Sequence, residues 1–378
     1  MWAPGGVPIV PGVVLEALDT SAAPARPLPV GEAPRVLDVA VAAPARSFEQ
    51  DELLALLGAQ GDQFAEGIFG RCGVERRRLA LSPASLGSTL QERTPVTEEH
   101  HERMAVEAID SLELPDPGEV GVVVTASYYA LGGPTLAHRI VDRYAMGPDT
   151  DKYHLAGVGC ASAVPLFRLA GQALRDRPAH EKALVVASEC VSGFMTALRP
   201  GDGRTKVVGS ALFGDGCGAA LLDRQRDDQA GRDPGPAVAA TAVHQVPGTL
   251  DDVRFAVSGA DSHMEISRDL PGIAETGLRP LVDAFLAKRG LERDSVDHWL
   301  VHPGGRGIVE AVQRALWLSD DDVAASTAVL SEFGNVGTPS AFFVLRETTE
   351  RHQPTAGDLG LMVTIGPGVT IGLMLLAW

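Results

Sequence analysis

Three residues far apart in the chain could together do thioester chemistry. They are Cys160 in Gly157-Val158-Gly159-Cys160-Ala161, His302 in His302-Pro303-Gly304-Gly305, and Asn335 in Glu332-Phe333-Gly334-Asn335. A cysteine attacks acyl groups as its thiolate. Cys160 directly precedes an apolar helical pattern. The positive end of that helix and a neighbouring imidazolium are both expected to lower the thiol's pKa. A malonyl thioester that loses CO₂ leaves an enolate, whose oxygen needs hydrogen-bond donors. A neutral imidazole and a carboxamide NH₂ supply two without adding negative charge, whereas a carboxylate would repel the enolate. Each residue alone has a plainer reading. Buried cysteines usually just pack, and Cys190 and Cys217, in apolar strand surroundings, are read that way. A lone histidine ending the apolar run Trp299-Leu300-Val301 is commonly a satisfied core residue. Asparagine between Gly334 and Val336 predicts a left-handed or turn position. The combination is what points to carbon–carbon bond formation.

Positioning these groups takes a substantial scaffold, and 378 residues suffice for two hydrophobic cores or one duplicated domain. The composition is 45% hydrophobic and 5% aromatic, the profile of an α/β protein. A net charge of −17 argues against nucleic acid and anionic membranes as partners. An anionic substrate must therefore find a local basic patch. Four cysteines are too few for a disulfide framework, and no metal-ligand spacing is visible. Reduced thiols and a cytoplasmic location are expected. No signal peptide and no apolar run of transmembrane length is seen.

Residues 1–34, rich in Pro, Ala and Gly, read as an arm without sustained periodicity. Strands are predicted at 36–41, 121–125, 183–187, 217–222, 237–243 and 298–302, with a closing hairpin around Gly366-Pro367-Gly368. Helices are predicted near 48–59, 98–112, 135–145, 161–175, 272–289 and 306–316. Pro165 is tolerable only if its helix starts close to 162. The charged stretch 223–235 marks a domain boundary, dividing the chain into halves at 35–224 and 236–378. The first half carries the cysteine and the second the histidine and asparagine.

The motifs Gly-Val-Gly-Cys-Ala, Ala-Leu-Phe-Gly-Asp-Gly at 211–216, His-Pro-Gly-Gly, Ser-Glu-Phe-Gly-Asn at 331–335 and Gly-Pro-Gly at 366–368 follow in order. In order and spacing, over roughly residues 35–378, the chain resembles the type III polyketide synthases, the chalcone-synthase-like enzymes. The resemblance implies a thiolase fold, a duplicated five-layered αβαβα architecture. It also implies a homodimer that uses acyl-CoA and malonyl-CoA as substrates, with no cofactor and no carrier protein. Cys160 would accept the acyl group, and His302 with Asn335 would serve decarboxylation and condensation. Phe213 and Met264 would form the gate between a CoA tunnel and the cavity, with methionine standing where plant members carry phenylalanine. Val191, Phe194 and Gly337 would shape the cavity wall.

Arg71 falls near one position at which the family contacts CoA phosphates, and other expected lysines are absent. Arg76, Arg77 and Arg78 are either further phosphate contacts or a solvated surface run. The Ala/Arg-rich composition resembles bacterial members, and the stretch from Gly360 to Trp378 resembles those that form dihydroxyphenylacetyl-CoA. Two other readings compete. A ketoacyl synthase III-like enzyme working with a carrier protein shares the Cys-His-Asn logic but has different flanking motifs. A non-catalytic partner subunit would be expected to lack the nucleophile, which this chain retains.

Overall fold

The computed structural model describes residues 33–80, 83–114, 116–128, 132–224, 235–258 and 261–378. All but the last two residues of the expected arm, and residues 225–234 of the charged linker, lie outside that set. The strands in the first half are β1 (Arg35–Ala42), β2 (Ser47–Glu49), β3 (Arg76–Arg78), β4 (Val120–Ser127), β5 (Asp151–Ala156), β6 (Lys182–Glu189) and β7 (Gly216–Asp223). Those that follow are β8 (Ala237–Gln245), β9 (Val253–Ser258), β10 (Asp261–Ile266), β11 (His298–Val301), β12 (Leu359–Gly366) and β13 (Thr370–Ala377).

Nine of these strands are hydrogen-bonded in the order β11-β12-β13-β8-β1-β7-β6-β4-β5. The run has a weak seam, because β1 meets β8 through the single register pair Arg35–Ala237. The two leaves on either side repeat one pattern. β1-β7-β6-β4 pair antiparallel, antiparallel and parallel, and β8-β13-β12-β11 pair in the same senses.

Side-chain alternation builds the layers. Val122, Val124 and Ala126 of β4 and Ala183, Val185 and Ala187 of β6 face the middle of the molecule. There they pack on helices Ala163–Ala173 and Ser340–His352, whose Phe167 and Phe342 rings lie 5.4 Å apart. Leu300, Met362, Met374 and Leu376 close on the same helices from the other leaf. Val123, Leu184 and Val186 point outward onto Met104, Ala105 and Ile109 of helix Leu90–Asp110. On the far side Leu361, Val363, Leu373 and Leu375 meet helices Leu270–Ala287 and Arg306–Leu316. The result is the expected helix–sheet–helix–sheet–helix stack. Burial of β4 on both faces is why Val122-Val123-Val124 shows no polar alternation.

The helix expected near 161–175 starts as a 3₁₀ turn, Gly159–Ser162, and becomes α-helical over Ala163–Ala173. Pro165 is its third residue, where an N–H has no intrahelical partner to lose. Sequence periodicity did not reveal helices Ala324–Phe333 and Ser340–His352 or strand β5. Phe342 to Leu345 are buried in unbroken succession, so the central helix lacks an amphipathic stripe. β5 begins Asp-Lys-Tyr-His and is half-exposed at the sheet edge.

Candidate active site

Cys160 sits in the 3₁₀ turn that opens the central helix Ala163–Ala173. Gly157 and Gly159 flank the approach with φ of +74° and +65°. A Cβ on Gly159 would lie 2.9 Å from Pro367 Cδ, and one on Gly366 would lie 2.5 Å from the Ala161 nitrogen. The Gly-Pro-Gly turn thus presses directly on the cysteine turn, and neither glycine leaves room for a side chain.

His302 follows β11, its N–H donating to Val363 O at 2.8 Å. Its ring is buried, and Nδ1 has no hydrogen-bond partner among the described residues. Burial pushes its pKa down to about 4, so the imidazole is neutral at physiological pH and carries one N–H.

Asn335 is 3% exposed. Its Oδ1 accepts the Gly337 N–H at 2.9 Å and stands 3.8 Å from Cys160 Sγ, toward which the thiol donates. With Oδ1 so engaged, the amide's NH₂ is left as the donor. The left-handed backbone expected at Asn335 falls instead on its neighbours, Gly334 and Gly337, both at φ +70°. Thr338 Oγ1 donates to Gly159 O at 2.9 Å, tying the asparagine loop to the cysteine turn.

Cys160, His302 and Asn335 line one cavity of about 610 Å³, together with Phe213, Met264, Val191 and Gly337. Phe194, 5% exposed at the end of the turn Val191–Phe194, is not among the lining residues of that cavity, although it shares a hydrophobic cluster with Val191, Phe213 and Met264. A larger outer chamber of about 1030 Å³ opens beside it, and Ile266, Leu270, Gly304 and Ile308 border both. Arg71 lines the outer chamber.

The triple-arginine stretch is split, with Arg77 buried and Arg76 and Arg78 half-exposed on either side of it. Arg77 is fully buried and donates to Ser210 O at 2.6 Å, Phe213 O at 2.9 Å and Gln50 Oε1 at 2.8 Å. Arg76 and Arg78 both pair with Glu332, at 3.1 and 3.3 Å. A period-two strand, β3, turns alternate arginines to opposite sides.

Sequence reasoning missed Glu189. It ends β6, is 1% exposed and lines the same cavity. Its carboxyl accepts the Tyr128 N–H at 2.9 and 3.1 Å. Burial raises its pKa to about 8, so it is mostly neutral at pH 7. The strand's parity held the signal, since 183, 185 and 187 face the centre and 189 continues that face.

Burial also pushes the Cys160 thiol up to about 12, with the Glu189 charge adding to the rise. The lowering expected from the helix end and an imidazolium is therefore outweighed. The resting pair is a thiol and a neutral imidazole, because in this apolar cavity desolvation exceeds the attraction an ion pair would bring.

Comparison with known proteins follows the same lines. Residues 45–234 match the model of the FAE1/type III polyketide synthase-like proteins. Residues 238–377 match that of the chalcone and stilbene synthases, C-terminal domain. A 3,5-dihydroxyphenylacetyl-CoA synthase of Amycolatopsis balhimycina is 29% identical over 96% of this chain and 99% of its own length. The alpha-pyrone synthesis polyketide synthase-like Pks18 of Mycobacterium tuberculosis is 30% identical over 82% of this chain and 80% of its own. The crystal structure of PKS-I from the brown alga Ectocarpus siliculosus superposes with a TM-score of 0.82 at 26% identity, covering 91% of this chain and 98% of that one. Two family models that between them span nearly the whole described chain, and relatives matched over most of their length, lead to one conclusion: the chain belongs to the type III polyketide synthases, thiolase-fold acyltransferases that condense acyl-CoA with malonyl-CoA.

Proposed function

We propose that Cys160 is the acyl acceptor and that His302 and Asn335 hold the malonyl thioester while CO₂ leaves. The observation that carries this reading is the meeting of all three in one cavity, with Sγ 3.8 Å from the carboxamide. During loading the sulfur attacks the starter thioester, and its proton passes through His302 to the departing CoA thiolate. Both groups are neutral at rest, so the proton moves as the sulfur attacks. In extension the malonyl C–C bond breaks and releases CO₂. The enolate carbon then attacks the acyl-Cys160 carbonyl, a C–C bond forms, and the cysteine leaves as thiolate. Decarboxylation supplies the carbanion, so the chemistry needs no cofactor. A mostly protonated Glu189 leaves the enolate unopposed at pH 7.

Phe213 and Met264 are proposed as the gate and Arg71 as a CoA phosphate contact, on their positions in the cavity wall and outer chamber. The wall is largely aliphatic, with Val191, Val253, Ile266, Leu270 and Ile365, which supports an apolar starter acyl group. The repeated strand order supports two duplicated domains over 35–224 and 236–378. The half-exposed edge strand β5, ending the sheet, supports a homodimer joined there. Four free cysteines are in keeping with a cytoplasmic location, and no helix among the described residues is long and apolar enough to cross a membrane.

The test is incubation of the protein with a panel of acyl-CoA starters and malonyl-CoA, with the adduct located by mass spectrometry and the products identified. An acyl mass on Cys72, Cys190 or Cys217 instead of Cys160 would defeat the assignment.

A further inference from the structure

We propose that Glu189, Ser127 and His101 form a proton inlet that feeds the catalytic cavity from a rear chamber. The proposal rests on the reading of Cys160 as acyl acceptor and adds a supply that the condensation cycle requires. In each extension the malonyl carboxylate leaves as neutral CO₂, a C–C bond replaces the acyl–sulfur bond, and Cys160 is released as thiolate. That thiolate next takes the lengthened chain from its CoA thioester, and a CoA thiolate departs. The cycle ends on a CoA thiol only if one proton enters per extension. His302 is not the source. Burial holds its pKa at about 4, so the ring is neutral and can hand a proton across but carries no spare one.

Glu189 is placed to supply it. It lines the cavity together with Cys160, close enough for its charge to act on the thiol. Its carboxyl, at about 8, is a stronger acid than the Cys160 thiol at about 12, so a proton passes from oxygen to sulfur and leaves a carboxylate. That carboxylate must then be refilled from solvent by a path that substrate does not occupy.

Ser127 opens such a path. It ends β4, the neighbour of β6 in the sheet. Its buried hydroxyl lies near enough to the Glu189 carboxyl to favour the charged form, although no hydrogen bond of full geometry joins them. Ser127 also lines a chamber of about 400 Å³ that shares no wall residue with the catalytic cavity. Glu98, His101 and Glu102 line it too, on one face of helix Leu90–Asp110 by their spacing.

His101 is 6% exposed, and its hydrogen bonds fix its tautomer. The Ser188 hydroxyl donates to His101 O at 3.1 Å, so its oxygen is left to accept from Nδ1 at 3.2 Å. The ring proton is therefore on Nδ1. Nε2 is a bare acceptor, buried and without a partner among the described residues. Burial holds this ring also at about 4, so it stays neutral. Orphaned polar atoms beside a polar chamber of this size make a seat for water. A water that gives one hydrogen to Nε2 has the other for Ser127 Oγ, whose own proton then moves to the Glu189 carboxylate. His101 is thus a positioning residue. Half-exposed Glu98 and Glu102, 4.0 and 3.6 Å from the exposed Arg139, connect the chamber to solvent.

The experiment compares Ser127→Thr with Ser127→Val in the full-length enzyme, a pair of equal size that differs in the hydroxyl. Steady-state CO₂ release from malonyl-CoA should be about tenfold or more slower in Ser127→Val than in Ser127→Thr, with a larger solvent deuterium isotope effect. A single extension by enzyme already acylated on Cys160 needs no imported proton, so its rate should be alike in the two variants. If a thermal melt shows that either variant fails to fold, His101→Gln, which keeps an acceptor, and His101→Leu form the equivalent pair. Equal steady-state rates and isotope effects within a pair overturn the inlet, and so does a single-extension rate that falls as far as the steady state. If the acyl mass formed on another cysteine, the reading of Cys160 would fall, while the isotope effects of the same variants would still judge the inlet.

Discussion

The backbones of Phe213 and Asn335 are paired. The two residues form a parallel bridge in which Asn335 N–H donates to Leu212 O at 2.8 Å and Gly214 N–H donates to Asn335 O at 3.1 Å. One aromatic ring and one carboxamide of the cavity are thus set by the same two hydrogen bonds, although the two residues stand 122 positions apart in the chain. Arg77 fastens this unit from beneath through Phe213 O and Ser210 O.

Replacing Arg77 should therefore damage both stability and activity. Arg77→Ala leaves two buried carbonyls and the Gln50 side chain without their donor, at a cost of about 3 kcal/mol or more. Arg77→Lys should recover little, because an ammonium cannot reach three acceptors with a planar fork. Urea unfolding of the two variants checks this, and near wild-type midpoints would show that the contacts are dispensable.

Asn335→Ala should separate the two half-reactions. Acyl transfer to Cys160 should persist, whereas CO₂ release from malonyl-CoA should fall by about 10²-fold or more with the loss of a donor to the enolate oxygen. Adduct mass and labelled CO₂ report the two steps independently. Equal loss of both would mean that the carboxamide only supports the loop.

The reactivity of Cys160 should climb with pH. Its thiol is raised to about 12, by burial first and by Glu189 second. Alkylation by iodoacetamide should increase steadily from pH 6 to 10 without levelling off. Glu189 itself ionises near 8, so its repulsion acts only at and above that pH. Glu189→Gln should speed alkylation above pH 8 and leave it nearly unchanged at pH 6.5. A plateau near neutrality in the wild-type protein would reveal a thiolate–imidazolium pair and sink this assignment of protonation.

Gly337→Ala tests how tightly the asparagine loop is held. The residue has φ +70°, and a Cβ would sit 2.9 Å from Glu189 Cγ. The strain should cost about 1–3 kcal/mol, seen as a lower melting temperature, and should displace Asn335 Oδ1 from its Gly337 donor. A variant with full stability and turnover would show that the loop adjusts freely.

Much of this was legible in the residues. Buried strands announced themselves as runs such as Val122-Val123-Val124, since a strand covered on both faces needs no polar alternation. Glycine-flanked motifs marked the three catalytic candidates, because close approach of backbone to backbone excludes a side chain at Gly159 and Gly366. The β5 edge and helix Ser340–His352 were hidden, the first by its polar composition and the second by burial all round.

By itself the sequence determined which chemistry was available and where most strands of the large sheet lie, because residue type and hydrophobic period are local properties. Only the tertiary structure decided the protonation of Cys160 and His302, for desolvation depends on what packs around a group rather than on its neighbours in the chain. It likewise brought Glu189 into the cavity, left Phe194 out of its lining, buried Arg77, and gathered Arg71, Arg204, Arg268 and Arg306 around one outer chamber. Those groups come from separate segments, and long-range packing alone sets which of them meet.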